Sequence, residues 1–274
     1  MNGYARVSAL RAALQGSQQT GAKDVEYAAL SEEIAREWDR ETNRPMYSVT
    51  ATRVYDGSGC DMLWLGDDLI SATTVKVGLT AYDPSTFDTA LVAGTDFALW
   101  PRNAPSKGKP YRAIRRISGT WPAGTGNVQV VGVFGYSDLW DSAGLTGTVA
   151  TDSGLTVTCS GAIGVLELGD MVKLGSEQMG DVTGVTATGF TVATRGANGT
   201  TAAAHSNVAV YIRRYPSDVE QAVTERAGQR RWDAQMGWMQ GPGSEEMMQT
   251  SSIRGAYSRW RDATRAYTDP AGYV

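Results

Sequence analysis

The sequence has few of the side chains that perform nucleophilic, acid–base or metal chemistry, with one histidine and two cysteines among 274 residues. His205 lies beside a predicted strand, and no Gly-x-Ser-x-Gly sequence offers it a nucleophile. Cys60 and Cys159 stand far apart, which argues against a disulfide framework or a zinc site. Neither His-Glu-x-x-His nor a glycine-rich phosphate loop occurs. We therefore expect no enzyme activity, no metal and no cofactor.

Long apolar runs are also missing, because no stretch approaches the roughly 18 residues that a membrane-spanning helix needs. The first residues place Arg6 and Arg11 around a few apolar side chains, without the apolar core and cleavage site of a signal peptide. The sequence therefore predicts a protein that folds in a reducing cytoplasm and does not bind a membrane. A hydrophobic share of 42% is enough for a sizeable core.

Charge is distributed unevenly along the chain. The net charge is −4, but residues 251–267 hold four arginines and one aspartate, a local charge of +3 that leaves −7 elsewhere. A basic end on an acidic body indicates either a solvated helix face or a segment that binds an acidic surface.

Two segments have the apolar spacing of helices. The first is Asp24–Thr42, with Asp24 as the expected N-cap, Asn43 as the left-handed residue that ends the helix, and Pro45 preventing continuation. The second covers residues 217–235 and has a narrow face of small side chains. The apolar positions are Tyr27, Leu30, Ile34 and Trp38 in the first helix, and Val219, Ala222, Val223, Ala227 and Ala234 in the second.

Between these helices the apolar period changes to two, which predicts strands over residues 47–136. Residues 139–214 are rich in Gly, Thr, Ala and Val and have no helical period, which predicts a small β-barrel or sandwich. The expected fold is α+β, with two long helices packed on a mostly antiparallel β-meander and an inserted small all-β domain. The tryptophans that fall in these elements are assigned to the core: Trp38, Trp64, Trp100 and Trp121.

This interpretation divides the chain into an N-terminal arm with a short helix and a connector core that is interrupted by the β-domain. The boundaries are 1–21 for the arm, 22–138 and 215–236 for the core, 139–214 for the β-domain, and 237–274 for a C-terminal docking segment.

The C-terminal segment has the pattern of a helix that docks on a partner. It is too polar to bury much apolar surface alone, and Trp260 is its expected anchor. The candidate docking residues are Ile253, Arg254, Tyr257, Trp260, Arg261, Arg265 and Tyr267.

Several segments, taken in order, resemble the head–tail connector (adaptor, or head-completion) proteins of long-tailed bacteriophages. They are residues 27–47, which include Tyr-Ala-Ala-Leu and end in Thr-Asn-Arg-Pro-Met-Tyr; 91–99, Leu-Val-Ala-Gly-Thr-Asp-Phe-Ala-Leu; 111–114, Tyr-Arg-Ala-Ile; 130–136, Val-Val-Gly-Val-Phe-Gly-Tyr; and 216–223, Pro-Ser-Asp-Val-Glu-Gln-Ala-Val. Residues 139–214 depart from the family pattern, but 168–175 and 194–200 resemble a small β-domain of phage structural proteins.

The resemblance implies a structural virion protein at the head–tail junction, or neck, that is assembled in the host cytoplasm. It implies a homo-oligomeric ring, usually of twelve subunits, beneath the portal protein and above a stopper or tail-completion protein. Viral DNA would pass through its channel without sequence-specific binding. An acidic body repels phosphate, so the DNA could slide without sticking.

One alternative is a minor tail or baseplate protein whose β-domain binds a receptor or a glycan. Aromatic side chains would then be expected on the loops of that domain, and residues 175–180 and 196–204 contain none. A cell-wall hydrolase is a weaker alternative because catalytic groups are missing.

Overall fold

The structure is a computed structural model, which describes residues 2–15, 21–78, 87–161, 163–237 and 251–268. The chain forms two compact units. The first, called here the helical unit, combines Met1–Arg44 with Leu139–Val274, and the second, the sheet unit, is Pro45–Asp138. The sheet unit is thus the one inserted in sequence into the other.

The sheet unit contains one antiparallel sheet. Its strands are β1 (Val49–Gly57), β2 (Met62–Val77), β3 (Thr89–Leu91), β4 (Phe97–Trp100), β5 (Tyr111–Arg116) and β6 (Gly124–Phe134). Their order is β1-β6-β2-β5-β4, with β3 paired beside β2. The sheet is therefore not a simple meander, because β6 separates the consecutive strands β1 and β2.

Strand β2 is long enough to join two parts of this sheet. Its first half pairs with β5, and its second half pairs with β6 and β3. The register shifts between Trp64 and Leu69, where Gly66 has a φ of +66°, a conformation that glycine adopts without steric cost. The core on one face consists of Leu63, Leu65, Leu69, Val75, Phe97, Ile114, Trp121, Val128, Val130 and Phe134.

The helical unit contains a second antiparallel sheet. Its strands are β7 (Leu139–Val149), β8 (Thr156–Ser160), β9 (Val172–Leu174), β10 (Glu177–Met179), β11 (Val182–Val185), β12 (Gly189–Val192) and β13 (His205–Arg214). Their order is β10-β9-β13-β7-β8-β12-β11. The first and last strands of this order are joined along the chain by Gly180 and Asp181, so the sheet must curl round its core.

Four helices belong to the same unit: α1 (Val7–Gln15), α2 (Asp24–Thr42), α3 (Ser217–Gly237) and α4 (Ser251–Tyr267). Helix α2 has the predicted bounds and ends at Asn43, whose φ of 54° is left-handed as expected. The predicted N-cap is wrong, because Lys23 holds that position without a side-chain bond. Asp24 instead forms an ion pair with Arg11 of α1.

Helix α3 has a narrow buried face, and ion pairs join it to α2. Val219 and Val223 of α3 are buried. Beside them Arg226 and Arg230 bind Glu37 of α2 at 2.5 and 2.7 Å. These pairs explain how a helix with such a narrow apolar face is held in place.

The expected fold class is therefore wrong. In the described residues the chain is mostly β, with thirteen strands in two antiparallel sheets and four helices. All four α-helices share a unit with the sheet of residues 139–214, and the sheet of residues 47–136 belongs to the other unit. The contacts that fix this arrangement are distant in sequence: Arg6 binds the buried carboxylate of Asp170 at 2.8 Å.

Candidate interaction surface

The predicted anchor of the C-terminal helix is already buried within its own chain. Trp260 is 2% exposed, and its ring meets the ring of Trp38 edge-on at a centroid distance of 5.3 Å. Its indole N–H donates to the Glu41 carboxylate at 2.8 Å. Trp260 therefore joins α4 to α2.

The other predicted docking residues divide into buried, exposed and undescribed ones. Tyr267 is buried, and its hydroxyl lies 2.8 Å from both carboxylate oxygens of Asp218. Arg261 and Arg265 are exposed. The side chains of Ile253, Arg254 and Tyr257 lie outside the described part of α4, as do residues 238–250 and 269–274 of the predicted docking segment. Docking of this helix on a partner stays a prediction. The structure leaves Arg261 and Arg265 accessible for such a contact.

A different surface exposes large side chains in the sheet unit. Strand pairing aligns Trp64 of β2 with Ala113 of β5, and Ala113 with Trp100 of β4. Directly paired residues point to the same face of a sheet, so both indoles flank the buried alanine. Trp64 is 56% exposed, whereas Leu63 and Leu65 on either side of it face the core.

Arg115 extends this row by one step on the same face. It pairs with Met62 of β2 and Ala98 of β4, and its guanidinium lies 5.9 Å from the centroid of the Trp100 ring. Asp61 binds the same guanidinium at 2.9 Å. We call this surface the tryptophan face and define it by Met62, Trp64, Ala98, Trp100, Ala113 and Arg115.

The tryptophan face has the composition of a protein-binding surface. Tryptophan, methionine and arginine are the residue types enriched in protein interfaces. The sequence assigned Trp64 to the core, and that assignment is wrong, whereas Trp38 and Trp121 are fully buried as predicted. The continuous apolar run Met62-Leu63-Trp64-Leu65 hides the alternation of faces that would have shown Trp64 pointing outward.

The one histidine of the chain lies in a cluster of internal hydrogen bonds. Its Nε2 is 2.8 Å from a carboxylate oxygen of Glu177, which is 1% exposed. Arg195 binds the same carboxylate through two nitrogens at 2.7 and 2.8 Å. The backbone N–H groups of Gly196 and Ala203 also donate to it, at 3.0 and 3.1 Å.

Burial would raise the pKa of Glu177, but the hydrogen bonds from Arg195, Gly196, His205 and Ala203 outweigh it and lower the pKa to about 2. With five donors around it, the carboxylate is ionised and fully engaged. These hydrogen bonds hold the segment before β13 against β10, so the cluster stabilises the fold.

The described ranges show neither a metal site nor a membrane-spanning helix. Within them, no group of three or more His, Cys, Asp or Glu side chains is placed to hold a metal ion. Over the same residues, no helix is long and apolar enough to cross a membrane.

Comparison with known proteins gives little more. No protein-family model matches the chain, and no curated protein matches it. A solved structure described as "Neck of empty GTA particle computed with C6 symmetry" resembles part of it, with 19% identity and a TM-score of 0.30. The match covers 48% of this chain, and the chain spans only 64% of the length of the one it matches. That structure is of a neck, the part of a virion that the sequence resemblance implies, but at this TM-score the likeness carries no argument.

Proposed function

We propose that the chain is a structural subunit of a virion rather than an enzyme, and that it forms the ring-shaped adaptor that joins head to tail. The observation that carries the proposal is the tryptophan face, an exposed surface of the kind that proteins use to bind each other. The order of sequence segments that resembles the head–tail connector proteins supports the virion context.

Exposure of Trp64 indicates that a partner covers it. A tryptophan side chain offers up to about 250 Å² of contact area, and burying apolar surface stabilises a complex by roughly 25 cal/mol per Å². Covering the exposed half of Trp64 is therefore worth about 3 kcal/mol before the costs of association. Trp64 is the exposed anchor of this face, and Trp100 and Arg115 beside it widen the surface that a partner contacts.

Self-association is supported by the edges of the same sheet. Strand β1 at one end and β4 at the other each have a single neighbour among the described strands. Two different edges allow head-to-tail contacts between copies, which close into a ring when the rotation per subunit divides a full turn. The portal, a stopper or tail-completion protein, and DNA in the central channel complete the proposed set of partners.

The experiment compares the purified wild-type chain with Trp64→Ser. Mass photometry followed by electron-microscopy class averages should reveal wild-type rings with a central channel. Trp64→Ser should weaken ring assembly or, where the tryptophan face binds another virion protein, leave rings intact and abolish capture of that protein. Val25→Ser, at an exposed valine of α2, is the matched control and should change neither.

Two results would contradict the proposal. One is a chain that stays monomeric at its highest soluble concentration and captures no virion protein. The other is a Trp64→Ser variant that assembles and captures partners as the wild type does, which would leave the tryptophan face without a function.

A further inference from the structure

The sheet unit contains a cluster of positively charged residues, although the chain as a whole has a negative net charge. Residues 97–137 contain six arginines and lysines and no aspartate or glutamate, in a chain whose net charge is −4. The sequence shows this as a run of 41 residues without an acid. Such a run predicts a surface whose cations are not neutralised by their neighbours.

Three of the six cations are engaged inside the unit. Arg115 binds Asp61 at 2.9 Å, and Arg112 lies 3.6 Å from the buried carboxylate of Asp68. Arg116 lies over the ring of Trp121, at 5.6 Å from its centroid. These three residues support the sheet and its core.

The other three are Arg102, Lys107 and Lys109, and all of them are exposed. They lie in the loop of residues 101–110 between β4 and β5, called here the basic loop. Within the described residues, their side chains form no ion pair or hydrogen bond. The basic loop thus offers three cations to a ligand from outside the unit.

The basic loop is ordered by its own backbone. The carbonyl of Ala104 accepts hydrogen bonds from the N–H groups of Lys107 and Lys109, each at 3.0 Å, and Ala104 itself is buried. The N–H of Gly108 donates to the Pro105 carbonyl, also at 3.0 Å. Because the backbone is held, a ligand that binds the three cations loses less entropy in ordering the loop.

We propose that the basic loop binds the phosphate backbone of double-stranded DNA. Asn103 and Ser106 lie between Arg102 and Lys107 in the sequence, and these polar side chains are among those that contact phosphates. The loop itself contains no aromatic residue, so it lacks the anchor that a protein partner requires and the stacking platform that single strands require. Binding through phosphates alone is independent of base sequence.

The inference deepens the proposed function by assigning the DNA contact of the adaptor to named residues, and it is tested apart from ring assembly. Binding of labelled duplex DNA to the full chain is measured by fluorescence anisotropy over a range of salt concentrations. Light scattering in the same buffers gives the oligomeric state. If wild-type rings assemble but do not bind DNA, this inference is refuted and the adaptor proposal is not. If the chain binds DNA but never assembles, the adaptor proposal is refuted and this inference is not.

The expected result is an affinity that falls steeply with salt. Three phosphate contacts give a slope of about −2.7 in log affinity against log salt, or roughly a 40-fold loss between 50 and 200 mM. The R102Q/K107Q/K109Q variant should lose this binding, and K107Q/K109Q should lower the slope by about 1.8. The control K23Q/R40Q/R259Q removes the same charge from exposed positions of the helical unit and should change affinity less than twofold.

Three outcomes would overturn the proposal. One is the absence of duplex binding at 50 mM salt, and another is an equal loss of affinity in the control variant. The third is tighter binding of poly-glutamate than of DNA, which would identify an acidic protein surface as the partner. All variants change exposed side chains only, and unchanged thermal unfolding checks that each remains folded.

Discussion

Replacing Trp260 by alanine tests whether α4 is part of the folded helical unit. The ring is 2% exposed and packs edge-on against Trp38, so the substitution leaves a cavity between α4 and α2. Removal of a buried Trp side chain costs about 3–5 kcal/mol of unfolding free energy. The lost hydrogen bond adds little, because Glu41 is exposed and water replaces the indole donor.

The assay combines thermal unfolding with hydrogen exchange. In a unit of this size, a loss of 3–5 kcal/mol lowers the melting temperature by roughly 10 °C. If α4 separates from α2 before the rest of the unit unfolds, the measured loss of unfolding free energy cannot exceed the free energy with which α4 packs on α2. Faster hydrogen exchange is then confined to the amides of α4.

Two further variants separate packing from charge. Trp260→Phe keeps a ring against Trp38 and should lose about half as much stability. Arg265→Ala changes an exposed side chain and should stay within about 0.5 kcal/mol of the wild type. A Trp260→Ala variant with wild-type melting and wild-type exchange in α4 would refute the packing that we describe.

Three other perturbations have expected outcomes. Glu177→Gln removes a buried charge from its donors and should cost about 3 kcal/mol in urea unfolding at pH 7, whereas Glu26→Gln, at an exposed position, should cost almost nothing. Because the pKa of Glu177 is lowered from 4.5 to about 2, its stabilisation is present above pH 4.5 and is lost as the pH falls towards 2. The stability of Glu177→Gln should therefore vary less over that range, and a parallel pH profile would contradict the cluster. Gly189→Val should cost at least about 2 kcal/mol, because a Cβ atom there lies 2.2 Å from the Val157 carbonyl oxygen; Gly164→Ala, with open space around it, should be neutral in the same melting experiment.

Local features of the chain could be predicted from the sequence, because they depend on neighbouring residues. The bounds of α2 follow from its apolar spacing and from Asn43 and Pro45 at its end. The N-cap could not be predicted in this way. Asp24 is a good capping residue, but its carboxylate binds Arg11, an ion pair that only the packing of α1 against α2 creates.

The arrangement of the two sheets could not be predicted, because a periodic pattern identifies an apolar face without identifying what covers it. The sequence predicts strands over residues 47–136 without showing that Met62–Val77 forms the single long strand β2, which pairs with three others. The N-terminal residues are held to the segment before β9 by pairs such as Arg6 and Asp170, which lie 164 residues apart. Nothing in the local sequence pairs these two residues.

The candidate surfaces were missed for a related reason. Trp64 occurs in an apolar run, and its outward direction follows only from its register with Ala113. Arg102, Lys107 and Lys109 are visible as charges in the sequence, but so are Arg112 and Arg115, and the structure alone separates the cations that bind Asp68 and Asp61 from those that remain exposed.

The two units use arginine in different ways, and the difference indicates where the chain meets its partners. In the helical unit Arg6, Arg195 and Arg226 each bind a carboxylate with little exposed surface, so their charge stabilises the fold and is not available for binding. In the sheet unit Arg115 lies on the tryptophan face, and the basic loop follows Trp100 directly. The tryptophan face offers an apolar anchor to a protein partner, and the cations of the basic loop offer electrostatic attraction to DNA, so both proposed contacts lie in one unit. We therefore expect the sheet unit to carry the main contacts of the assembled protein, with the exposed Arg261 and Arg265 of α4 as a further contact surface in the helical unit.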